Sequence, residues 1–126
     1  MKSNTDLALL LIRVGLALVF IAHGWEKLSG MEDVISYFAT LELSAFWAYL
    51  VAYVELVGGI SMLIGVFTGW TGILLAATMV SAIAIVKLTK GFIGGYEFDL
   101  MLFLAAIAIS LAGPGHYTIL RYFKRR

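Results

Sequence analysis

The stretch FWAYLVAYVELVGGISMLIGVF, residues 46–67, decides the fold. A membrane-crossing helix needs about 20 predominantly apolar residues, and this run supplies them with one carboxylate, Glu55, near its middle. A charge at that depth is expensive unless it is paired, protonated or wetted, so the other segments have to supply its partner. Gly58, Gly59, Ser61 and Gly65 follow at once, and small residues of this kind let a neighbouring helix approach closely.

The composition around this stretch agrees with it. Of 126 residues, 62% are hydrophobic and only 13% charged, against about 25% charged in an ordinary soluble domain. Residues 1–126 are therefore read as a single all-α membrane domain. The net charge of +1, with no basic stripe, gives no reason to expect nucleic acid. Cysteine is absent, which excludes disulfides, thiolate nucleophiles and thiolate metal sites.

Upstream, Asp6 is placed to cap a first span over about 7–25, interrupted by Arg13 and His23. Arg13 argues against a cleaved secretion signal, whose apolar core is normally uncharged. Between Glu26 and Leu43 the pattern changes: Met31, Val34, Ile35, Phe38 and Leu41 fit one helical face, while Glu26, Lys27, Glu32, Asp33 and Glu42 are polar. This predicts a short interfacial helix between the first two spans.

Downstream, Thr68 and Gly69 suggest a tight turn into a third span over about 70–88. A loop with Lys87, Lys90, Gly91, Gly94 and Gly95 leads to a fourth span, 96–112, with Glu97 and Asp99 in its first turn, where the helix dipole favours carboxylates. Gly113, Pro114 and Gly115 end it, and the tail 116–126 is basic and aromatic. The expected architecture is a polytopic four-helix bundle with both termini on one side. Arg121, Lys124, Arg125 and Arg126, with Lys2, place that side in the cytoplasm; Lys27, Lys87 and Lys90 on the other side make the bias modest.

Counted along their helices, Arg13 lies about 10 Å from the inner end and Glu55 about 14 Å from the outer end. An Arg13–Glu55 ion pair is therefore expected, either as a site for chemistry or as a device fixing helix register. A second group, His23, Lys27, Lys87, Glu97 and Asp99, collects near the outer side, either lining one pocket or serving as snorkelling and helix-start charges. Trp25, Trp47 and Trp70 fall near span ends, as interfacial aromatics do. Tyr49, Tyr53, Phe67, Tyr96 and Phe98 are candidate walls for a flat ligand, or ordinary core and lipid contacts. No dinucleotide or flavin glycine motif, phosphate loop or nucleophile elbow is present. His23 and His116 belong to opposite sides, so neither a metal nor a haem is expected.

Taken in order, Arg13, Gly15, His23, Gly24 and Lys27; Glu55, Gly58, Gly59 and Gly65; Gly95 and Glu97; and Gly113, Pro114 and Gly115 make the chain resemble the DoxX family of small bacterial and archaeal membrane proteins along almost its whole length. The resemblance implies a four-helix protein of the plasma (inner) membrane linked with redox work. Relatives include a subunit of a thiosulfate:quinone oxidoreductase and proteins associated with oxidative or thiol stress. On that basis the expected function is a quinone-interacting component of an oxidoreductase system. Glu55, Arg13, Glu97 and Asp99 are assigned to proton exchange, and His23, Lys27, Tyr53, Gly58 and Gly59 to the ligand site. Membrane lipid, a quinone, a redox partner protein and a second copy of the chain are the expected partners. The rival expectations are a non-enzymatic scaffold docking a partner, and a small transporter or proton pathway.

Overall fold

The structure, a computed structural model, describes residues 3–125; Lys2 and Arg126, two of the charges used in the orientation argument, lie outside the described residues. It is helical throughout, and no strand occurs among the described residues. In chain order the helices are α1 (Asn4–Ser29), α2 (Met31–Thr40), α3 (Ala45–Ile64), α4 (Thr68–Ala82), α5 (Glu97–Ala112) and α6 (Ile119–Lys124). Between α4 and α5 the chain runs through two π-helical turns, Ile83–Lys87 and Phe92–Tyr96, with a 3₁₀ turn, Leu88–Lys90, between them. Four helical runs are long and apolar enough to cross a membrane: Asn4–Ser29, Ala45–Ile64, Thr68–Lys90 and Phe92–Ala112.

Local sequence explains the boundaries, including three that differ from expectation. Ser3, not Asp6, caps α1: its hydroxyl accepts from the Asp6 backbone N–H while the Asp6 carboxylate accepts from the Ser3 N–H, a reciprocal capping box. At its other end α1 continues past Trp25 to Ser29, because nothing before Gly30 stops it. Glu26 and Lys27 thus belong to the first spanning helix rather than to the interfacial one. The turn after α3 falls at Gly65–Phe67, before the expected Thr68–Gly69; Gly65 adopts φ 78° and its N–H closes on the Ser61 carbonyl.

The interfacial helix forms with the predicted face. Met31, Val34, Ile35, Phe38 and Leu41 are half-buried, whereas Glu32 and Asp33 are exposed. α2 rests chiefly on α3.

Packing is organised as two close helix pairs, α1 with α3 and α4 with α5, joined mainly across α3 and α4. Without a hydrophobic force between helices in lipid, such pairs depend on close van der Waals contact. Glycine makes that contact here: a β-carbon added at Gly24 would lie 2.5 Å from the Leu56 backbone nitrogen, and one at Gly72 would lie 2.6 Å from the Ala106 carbonyl. Leu16, Ala17, Phe20, Met62, Leu75, Ala76, Met79, Ala106 and Ile109 fill the centre. Trp25, Trp47 and Trp70 are exposed near helix ends, and Leu18, Val57 and Leu111 are exposed along the helix flanks, as lipid-facing residues are.

Candidate functional site

The α1/α3 contact fixes which charges meet. With Gly24 against Leu56 and Gly59 against Ile21, the antiparallel register brings Lys27, one turn beyond Gly24, level with Glu55. Lys27 Nζ lies 2.9 Å from Glu55 Oε2 and 3.2 Å from Oε1, so one ammonium serves both carboxylate oxygens. The Glu55 side chain is 4% exposed and that of Lys27 26% exposed: the carboxylate is inside the bundle and the lysine stem reaches it from the rim.

The same register separates Arg13 from Glu55 and overturns the expected Arg13–Glu55 ion pair. Arg13 stands opposite Gly65, ten residues past Glu55 and thus about 15 Å further along α3. Fully buried, its guanidinium donates from Nε to the Met62 carbonyl at 2.8 Å and from Nη2 to Leu63 at 3.0 Å. Nη1 donates to Pro114 at 2.8 Å and to Tyr117 at 2.7 Å. A fork of rigid donors thus caps the carbonyl end of α3, where the helix dipole is negative, and ties it to the segment after α5. Depth counted on two separate helices does not fix how they slide past each other; the glycine contacts do.

A second ion pair stands beside the first. Lys87, in the π-helical turn after α4, donates to Asp99 Oδ1 at 2.8 Å; the Asp99 side chain is 5% exposed and that of Lys87 33%. His23 and Asp99 both lie close enough to Glu55 to act on its charge, and the His23 ring packs 6.4 Å from that of Phe98. Of the residues assigned to the outer group, His23, Lys27, Lys87 and Asp99 therefore come together with Glu55. Glu97 does not join them: it is exposed and accepts from the Gly94 N–H at 3.3 Å, a local helix-start role. The cluster holds two carboxylates against two ammoniums, so with neutral histidine it carries no net charge.

The α3 residues assigned to the ligand site, Tyr53, Gly58 and Gly59, are divided between two faces of that helix. Tyr53 and Gly58 line a groove of about 250 Å³ with Val54, Val57, Thr71 and Leu74, open on the lipid-facing flank where Tyr53 is half exposed. Thr71, at the buried side of this groove, shares a 2.8 Å hydrogen bond with Ser61. Gly59 turns the other way, against Ile21 of α1, and is a packing residue. No group of histidine and acidic side chains suited to a metal ion occurs among the described residues. His116 sits at the opposite end of the bundle from His23, beside Asp6, whose carboxylate accepts from the His116 N–H at 3.0 Å.

The Lys27–Glu55 pair does not follow from a first span ending at Trp25, which leaves Lys27 outside the helix that α1 forms. The available signal was Gly24 and Lys27 three apart on one face, opposite Glu55 followed by Gly58 and Gly59.

Comparison with known proteins agrees with the architecture. The family model described as DoxX matches residues 8–88, which contain Arg13, His23, Lys27, Glu55 and Lys87 but not Asp99. The chain is 39% identical over 113 residues to "Putative oxidoreductase CatD" of Bacillus subtilis, covering 90% of this chain and 84% of that protein. It is 26% identical over 129 residues to "Inner membrane protein YqjF" of Escherichia coli, covering 100% of this chain and 99% of that protein. No solved structure matches. With four spanning helices and a family match over most of its length, this multi-pass membrane protein belongs to the DoxX family.

Proposed function

We propose that the protein is a quinone-interacting component of a membrane oxidoreductase system in which the Lys27–Glu55 pair handles protons. The observation that carries this reading is the identity of the partner of Glu55: a lysine at 2.9 Å rather than an arginine. An arginine stays charged and would lock the carboxylate as an anion, whereas a lysine can release its proton when desolvated. A proton passed from Lys27 Nζ to Glu55 leaves both groups neutral, and the pair is net neutral before and after, which suits a membrane interior. Lys87 and Asp99 repeat the arrangement, and His23 lies beside them.

A quinone supplies the acceptor chemistry when bound, taking up two electrons and two protons. The residues present fit such a molecule at the lipid-open groove: Val54, Val57 and Leu74 offer an apolar wall, and Tyr53 offers a hydroxyl donor, the Thr71 proton being already given to Ser61. Glu55 lies at the same depth of α3 but on the face turned to α1, so it would act on protons from inside the bundle without touching the ring. Electrons would come from a partner's cofactor, since the chain has no cysteine and no dinucleotide motif. The name of the Bacillus relative points the same way. Both termini face the cytoplasm in this reading, by the basic tail.

The test is purification in mild detergent with intact-mass measurement and quinone extraction from the same sample. Near-stoichiometric quinone that is lost on Glu55→Gln supports the reading. A sample without quinone that carries a reproducible bound protein makes the chain a scaffold instead.

A further inference from the structure

The end of the bundle that carries both termini has a feature the redox reading does not use. A cavity of about 430 Å³ opens there, between Asp6, Gly65, Pro114, Thr118, Arg121 and Lys124. Arg13 lies directly beneath its floor, since its guanidinium is the nearest neighbour of any side chain added at Gly65 and Thr118 is the next. That guanidinium is wholly buried and, among the described residues, is bonded to carbonyl oxygens and has no counter-ion.

The walls add to the same sign. Among the described residues no carboxylate stands within ion-pair distance of Arg121, Lys124 or Arg125. Asp6, the one acid in the lining, is already engaged by the Ser3 N–H, the Ser3 hydroxyl and the His116 N–H. Arg121 Nη1 lies 2.7 Å from His116 Nδ1, and Arg125 Nη2 lies 2.8 Å from His116 Nε2. A neutral imidazole has only one acceptor nitrogen, so this ring cannot satisfy both guanidiniums. Two forks converge where one acceptor is missing. Leu120 also lines the cavity, and the neighbouring Ile119, Tyr122 and Phe123 are exposed on the same short helix, α6.

We propose that this cavity is a binding site for the phosphate headgroup of an anionic phospholipid. Arg121 and Lys124 take the phosphate oxygens, the buried Arg13 charge favours the anion from below, and the apolar residues of α6 lie where acyl chains begin. Phosphate in solution shares the headgroup chemistry but would leave Leu120 and the α6 aromatics without a role. The site is independent of the proposed quinone chemistry: Gly65 in its lining is ten residues past Glu55, about 15 Å along α3.

The experiment is native mass spectrometry of the full-length protein from detergent containing equal phosphatidylglycerol and phosphatidylcholine. The wild type should retain phosphatidylglycerol in roughly 30-fold preference, the effect expected of two cations at a membrane surface. Arg121→Gln with Lys124→Gln should bring the ratio near one, whereas Lys90→Gln, an exposed lysine at the other end, should leave it unchanged. Equal retention of both lipids by the wild type, or an unchanged preference in the double variant, overturns the proposal. Displacement of the lipid by millimolar inorganic phosphate overturns its lipid part, assigning the site to a free anion.

Discussion

Lys27 and Glu55, 28 residues apart in sequence, are joined by a 2.9 Å ion pair that exists because Gly24 and Leu56 touch. The contact between backbones sets the register, and the register sets the charge partner. Removing the lysine leaves a buried carboxylate uncompensated. Lys27→Met should therefore lower thermal stability in detergent by the equivalent of about 3–5 kcal/mol, and adding Glu55→Gln should return much of it. A melting series of the two single variants and the double variant measures this; equal melts for Lys27→Met and wild type would mean that the pair contributes nothing.

Arg13 acts apart from that pair. Lysine at position 13 cannot span carbonyls on both α3 and the segment after α5, so Arg13→Lys should lose two charge-assisted hydrogen bonds, about 3–6 kcal/mol. Its effect should add to that of Glu55→Gln within about 0.5 kcal/mol, as for sites without shared partners. A larger coupling in the double-mutant cycle would mean that the two side chains interact.

Glycine substitutions separate packing from charge. Gly24→Ala drives a methyl into the Leu56 backbone, and overpacking of this kind costs about 1–3 kcal/mol. It should also pull Lys27 away from Glu55, visible as a shifted carboxylate band of Glu55 in difference infrared spectra against Glu55→Gln. Gly15→Ala, with nothing within 4 Å of the added carbon, should change neither readout.

His116 gives a pH signature. Partial burial first, then the guanidiniums of Arg121 and Arg125, hold its imidazole below the ordinary value of 6.5, with Asp6 pulling the other way. The folded chain thus binds fewer protons there than the unfolded chain. The stability this contributes is present above pH 6.5 and is lost as the pH falls from there through the lower folded value. His116→Gln should flatten the acid side of the melting profile between about pH 7 and pH 5. An unchanged acid limb would assign that loss to other groups.

Much of this was legible from residue order alone. The apolar run 46–67, the face of α2 at residues 31, 34, 35, 38 and 41, and the stop at Gly113–Gly115 each express a local rule of length, period or cap, and each appears in the fold. Partnership between helices did not follow, because it depends on how far α1 slides along α3. That slide is decided by a few close backbone contacts, Gly24 on Leu56 and Gly59 on Ile21, whose pairing no single helix reveals. The carbonyl clamp on Arg13 was hidden for a related reason: a cation is expected to seek an acid, and here helix-end dipoles took that place.

The clamp also imposes an order on biogenesis. When α1 first enters the bilayer, Arg13 arrives with it, but two of its acceptors, Pro114 and Tyr117, lie 101 and 104 residues later in the chain. Until the last span is inserted and its exit loop folds back, the first span holds an arginine with half its bonds unmade. A chain that ends before Pro114 keeps only the Met62 and Leu63 carbonyls for Arg13, so the first span depends for its charge balance on the last segment to be made.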